Sequence, residues 1–200
     1  MVSNLPPSEA TATVSVADLV RLAALTYADA DLPTIWSELG RVLAQQFGYS
    51  LFTILTYSPN LDKVVRIHST RHDLHPLGQR SSQGNSPRLS AVPPQRKAWV
   101  RRLFEDGRIW RGSTKEDLKA VFEDWELLWS VGLGSVLNIP VRLGGKTIGS
   151  LNILDNERAY DEADLNVGIL IAQMVAFHVG KAGHNTGFQV DCRRNVKETN

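Results

Sequence analysis

One stretch constrains the fold more than any other: SVLNIPVRLGGKTIGSLNIL, residues 135–154. Two runs of β-favouring residues meet at Gly144 and Gly145, a pair that tolerates the left-handed backbone of a tight hairpin turn. Side chains alternate along a strand. With Leu143 paired to Thr147 around the turn, Leu137, Ile139, Val141, Gly149, Leu151 and Ile153 share one face. Val136, Asn138, Pro140, Ser150, Asn152 and Leu154 share the other. A slip of one residue would mix the two sets. The apolar face suits packing on helices. The second face sets Asn138 opposite Asn152, with Ser150 near. A buried amide pair needs partners, from a bound ligand or from local loops.

The rest of the chain reads around this hairpin. Ser15 and Asp18 start a helix, and Asp31 starts a second, with Pro33 in its first turn and Gly48 at its end. SLFTILTYS and KVVRIHSTR read as two antiparallel strands. Residues 72–94 lack periodicity, and a loop this long is often functional. A helix over 93–107 and a brief strand over 108–112 follow. Ser113 with Glu116 reads as a capping box for one helix running to about Ser130. Asp161 opens the last helix, which Gly180 closes. The order α-α-β-β-loop-α-β-α-β-β-α is that of an α+β fold: a central antiparallel sheet with helices on one face and a loop- and helix-covered pocket on the other.

The totals exclude several classes. Two hundred residues suit one domain, expected over 15–182, with a flexible N-terminus over 1–14 and a flexible polar tail over 183–200. A net charge of +1 does not argue for nucleic acid. The single cysteine, Cys192, leaves no internal disulfide and no Cys-based zinc site. No secretory signal and no ~20-residue apolar span is present, so the expected setting is cytoplasmic, without a membrane partner. The apolar first and last helices offer more surface than one sheet face covers. A homodimer through them is expected.

The segment GLGSVLNIPVRLGGKTIGSLNILDNERAYDEADL with its following apolar helix, preceded by GSTKEDLKAVFEDWELLWSVG, resembles the GAF domain family over about residues 30–180. The resemblance implies a small-molecule pocket. It does not carry over the cysteines of bilin-binding or methionine sulfoxide reductase members. Phe122, Asp124 and Glu126 only loosely echo the cyclic-nucleotide pattern. No output module is visible, so a stand-alone protein is expected.

RIHSTRHDLHPLGQR, residues 66–80, holds three histidines. On a helix they would suit a metal, but the Val, Ile and Thr content and Pro76 favour a strand and a loop. His68 and His72 would then lie ~13 Å apart at roughly 3.3 Å per residue. No metal and no cofactor is expected. In the loop, Arg80 offers a fork of donors for a carboxylate, and His72 or His75 can move a proton near neutral pH. Trp99, Trp110, Phe122 and Trp125 would form an aromatic wall, with Asn138, Ser150 and Asn152 supplying polar edges. His72, His75, Asp124 and Glu126 are the acid–base candidates.

Three functions fit these residues. The first is a binding protein for a small anionic or aromatic acid. The second is a cofactor-free lyase of aromatic-acid catabolism, of the hydroxylaminobenzoate lyase type, which protonates the departing N-linked hydroxyl, lets water add to the ring and releases ammonia. The third is a pure interaction module acting through its helices.

Overall fold

The computed structural model describes residues 13–58, 63–78 and 94–185. Helices α1 (Val16–Tyr27) and α2 (Leu32–Phe47) lead into strands β1 (Leu51–Ser58) and β2 (Lys63–Ser69). Helix α3 (Pro94–Val100) continues as one wide turn, Arg101–Glu105, into β3 (Trp110–Gly112). Then come α4 (Lys115–Val121), α5 (Trp125–Ser130), β4 (Ser135–Leu143) and β5 (Lys146–Asp155), and finally α6 (Leu165–Met174) and α7 (Ala176–Asn185). The strands form one antiparallel sheet in the order β2-β1-β5-β4-β3.

The capping chemistry acts as predicted at the N-terminal helices. Ser15 and Asp18 form a reciprocal capping box on α1, and Asp31 caps α2 ahead of its proline. Further along, two helices differ from the sequence reading. The cap of α4 is Thr114 with Asp117, not Ser113 with Glu116. The predicted 113–130 helix is two pieces, because Phe122 leaves the helix with φ −103° and ψ 135°. The last helix starts at the Asp164 cap rather than at Asp161, and bends by 54° near Val175.

The hairpin holds its predicted division of faces, with one adjustment. Gly144 and Gly145 alone make the turn, both at positive φ (58° and 79°), so Leu143 pairs with Lys146 rather than Thr147. An irregularity between Val141 and Arg142 absorbs the difference, and Asn138 pairs with Asn152. On one face, Leu137, Ile139, Val141, Leu151 and Ile153 join Phe52 and Ile54 of β1 in the main core. They pack against Leu22, Leu39, Leu43, Ile171 and Val179 from α1, α2, α6 and α7. Each such side chain contributes about 1.5–3 kcal/mol when fully buried. The opposite face, covered by α3, α4 and α5, is less uniformly apolar. Its clusters centre on Leu55, Trp99 and Phe104, and on Leu51, Leu128 and Leu154.

Candidate functional site

That second face carries a cleft. Its floor is the sheet: Thr53 and Leu55 of β1, Asn138 of β4, and Asn152 and Leu154 of β5. The two asparagines are almost wholly buried. Period-two alternation aims them there, and a polar chain ties them down. Trp99 Nε1 donates to Asn138 Oδ1 (2.9 Å), Asn138 Nδ2 donates to Asn152 Oδ1 (2.7 Å), and Ser150 Oγ donates to the same oxygen (3.0 Å). Asn152 Nδ2 reaches Thr53 Oγ1 at 3.3 Å. The amide pair therefore finds local partners and still lines the cleft.

The walls come from helices and one loop. Trp99 of α3 and Phe122 meet edge to face, with ring centroids 5.8 Å apart. Phe122 reaches the cleft because the chain is extended at that residue, and the same break brings Glu123 and Asp124 to the rim. Free space inside is small, about 50 Å³. A compact acid, or only the acidic head of a larger one, fits unless the walls move.

Two arginines line the cleft, Arg66 of β2 and Arg96 of α3. Both are buried. Arg96 forms an ion pair with Glu123. Arg66 is 8% exposed and makes no ion pair among the described residues. One of its terminal nitrogens donates to the Pro76 carbonyl (3.2 Å), while Nε has no partner among the described residues. Burial pushes the Arg66 guanidinium below its ordinary value, and the charge of Asp124 opposes this. A guanidinium nevertheless stays protonated in proteins. It is a buried cation whose hydrogen-bonding capacity is only partly used.

His75 arrives from the loop after β2. The Gly78 amide donates to the Arg66 carbonyl and the His75 amide to the Arg71 carbonyl, which folds this loop back onto the strand. His75 is 9% exposed, and its Nε2 lies 2.9 Å from Asp124 Oδ2. Its Nδ1 is buried without a partner among the described residues. Burial pushes the Asp124 carboxyl up, but the His75 hydrogen bond, with the charge of Arg66 adding to it, holds it below the usual carboxylate value.

The residues singled out from sequence thus separate. Trp99, Phe122, Asp124, His75, Asn138 and Asn152 come together in the cleft. Ser150 lies just beneath, bonded to Asn152. Trp110 stands behind Phe122, at a centroid distance of 6.1 Å, and does not line the cleft. Trp125 packs on Trp129 and under Lys119, because the break at Phe122 turns α5 away. Glu126 and His72 are exposed and outside the cleft. Arg80 lies outside the described residues. No metal-binding cluster occurs among the described residues.

Sequence reasoning missed Arg66 and Arg96 as lining residues. A signal for Arg66 existed: it lies between Val65 and Ile67 on a strand, two residues from Val64, the spacing of a shared face. His68 should share that face too. The register of β1 against β2 shifts between Ile54 and Leu55, so His68 turns to the helix side and sits 5.2 Å from the Phe52 ring. Burial there, followed by the influence of His72, lowers the His68 imidazole from its usual value.

No protein-family model and no curated protein sequence matches the chain. Solved structures do. The GAF domain of a phosphoenolpyruvate-protein phosphotransferase from Acinetobacter aligns at a TM-score of 0.59 and 13% identity, over 88% of this chain and 97% of that one. The GAF domain of a two-component sensor histidine kinase from Bacillus halodurans aligns at 0.55 and 16% identity, over 78% and 98%. The free methionine-R-sulfoxide reductase of Neisseria meningitidis, solved in complex with its substrate, aligns at 0.53 and 14% identity, over 87% and 96%. Sheet order, helix placement and these alignments agree: the chain has the fold of a GAF domain.

Proposed function

We infer that the chain binds a small carboxylic acid in the cleft between the sheet and α3–α5. The observation that carries this reading is Arg66, a buried cation lining the cleft without an ion-pair partner among the described residues. Its guanidinium takes the carboxylate, Trp99 and Phe122 flank the ligand body, and the Asn138–Asn152 pair meets its polar edge. A substrate-bound neighbour of the same fold supports a ligand-holding role for this architecture. The test is calorimetric titration of wild type and Arg66→Met with acetate, propionate, phenylacetate and benzoate. The variant keeps the apolar stem and removes the charge. Loss of a charged hydrogen bond, about 1.5–3 kcal/mol, predicts at least ~10-fold weaker binding. Equal affinity in the variant removes Arg66 as the anchor.

A second reading, a cofactor-free lyase of the hydroxylaminobenzoate type, is favoured by the His75–Asp124 pair at the rim of the same cleft. His75 supplies the proton to the departing hydroxyl, and Asp124 orients its ring. Incubation with 4-hydroxylaminobenzoate and assay of released ammonia tests it, with His75→Gln as the variant expected to lose turnover.

Assembly as a homodimer through the terminal helices belongs to the same reading. Val16 and Val20 on α1, Ile169 and Leu170 on α6, and Phe177 on α7 are exposed apolar residues. A cytoplasmic setting completes it, from the lone Cys192.

A further inference from the structure

The cleft has a hydrogen-bonding polarity that narrows the class of acid it accepts. Resting on the carboxylate reading above, we propose that the ligand is a bifunctional acid: a carboxylate for Arg66, and close to it a hydroxyl or N–H group that donates to His75 Nδ1.

The argument starts at Asp124. Its carboxylate is an acceptor only, and it lies 2.9 Å from His75 Nε2. The proton of that contact must therefore sit on Nε2. In the neutral ring this leaves Nδ1 as a bare lone pair, an acceptor. Nδ1 is buried, and no group among the described residues donates to it. A buried acceptor without a donor is costly, and a donor group bound in the cleft that His75 lines would remove that cost on reaching Nδ1. A plain carboxylate does not. Brought against Nδ1, it would set acceptor against acceptor.

Geometry limits how far apart the two functions of the ligand lie. Arg66 donates to the carbonyl of Pro76, the residue next to His75, and both side chains act on the same Asp124 carboxylate. The anion site and the acceptor site are therefore neighbours. A 2-hydroxy or 2-amino acid, or an aromatic acid with its donor close to the carboxylate, presents both groups together. The small free space in the cleft favours the same compact arrangement. The remaining charges are matched within the site: Arg96 is paired with Glu123, and the Arg71–Asp73 pair lies in the exposed part of the His75 loop.

The experiment uses matched pairs that differ by one hydroxyl: propionate against lactate, phenylacetate against mandelate, and benzoate against salicylate. Affinities are measured by calorimetry in two buffers of different ionisation enthalpy, on wild type, Asp124→Asn and His75→Leu. In wild type the hydroxylated member of at least one pair binds about tenfold tighter, without net proton uptake. Asparagine at 124 can accept or donate, which frees the His75 tautomer. The preference then falls to about twofold or less, while the plain acid gains affinity. His75→Leu deletes the acceptor and abolishes the preference as well. Equal affinity within every pair in wild type overturns the proposal. So does tight binding of the plain acid with uptake of one proton, since His75 would then be a donor at both nitrogens. A preference that survives in both variants overturns it too. Binding of none of the acids to folded wild type overturns the carboxylate reading together with this one.

Discussion

Trp99 is the residue on which the cleft's polar floor depends. Its indole N–H, a donor only, fixes which way the Asn138 amide points, and Asn138 in turn fixes Asn152. Trp99→Phe keeps most of the ring contacts with Phe104 and Phe122 but strips the donor from a buried carbonyl oxygen. The expected loss is about 1–2 kcal/mol, read from the midpoint of urea unfolding. An unchanged midpoint would mean that the amide pair reorients freely. At this scale the sequence was readable in part. Asn138 opposite Asn152 follows from counting back from a Leu143–Thr147 pair, and the irregularity between Val141 and Arg142 restores that register behind the tighter turn. Arg66 was in plain view beside the histidines, and only its place inside the strand run Val64–Ile67 separates it from Arg80 in the following loop.

Strand β5 is the element that joins both halves of the sheet, lying between β1 and β4. Gly149 permits that close approach. A Cβ built there would sit 2.2 Å from the Leu55 carbonyl oxygen of β1, a backbone atom with little room to move. Gly149→Ala should therefore force β1 and β5 apart and cost about 1–3 kcal/mol or more, seen as a lower Tm. A variant as stable as wild type would show that the sheet opens at no cost. The α4–α5 break is the other element-scale feature that matters to the site. A single helix over 113–130 satisfies the apolar spacing of Leu118, Val121, Phe122, Trp125 and Leu128 equally well. The break is what sends Phe122 to the cleft and Trp125 to Lys119.

For the whole molecule, the arrangement separates the two faces of the sheet by task. The helix side holds a continuous apolar core, and the other side holds the polar floor, the buried arginines and the His75–Asp124 pair. Exposed apolar residues lie outside both, on α1, α6 and α7. If two copies cover them, light scattering will give twice the chain mass for wild type, and the double variant Ile169→Glu, Phe177→Glu will give the monomer with the acid affinity intact. A monomeric wild type at high protein concentration removes the dimer. The prediction belongs at this scale, since no single residue decides association: the exposed side chains act as one surface.

What the chain determined by itself is whatever rests on short-range rules. The glycine turn, the alternation of faces on β4 and β5, and the Ser15 and Asp31 caps all follow from backbone sterics and spacing within about ten residues. Tertiary structure decided which charged groups share the cleft. A register shift between β1 and β2 sends His68 away from Arg66, a loop folded back on β2 carries His75 inward, and a helix break delivers Asp124 from 49 positions further on. Contacts across such separations depend on how whole elements pack, and no local pattern in the residues encodes that packing.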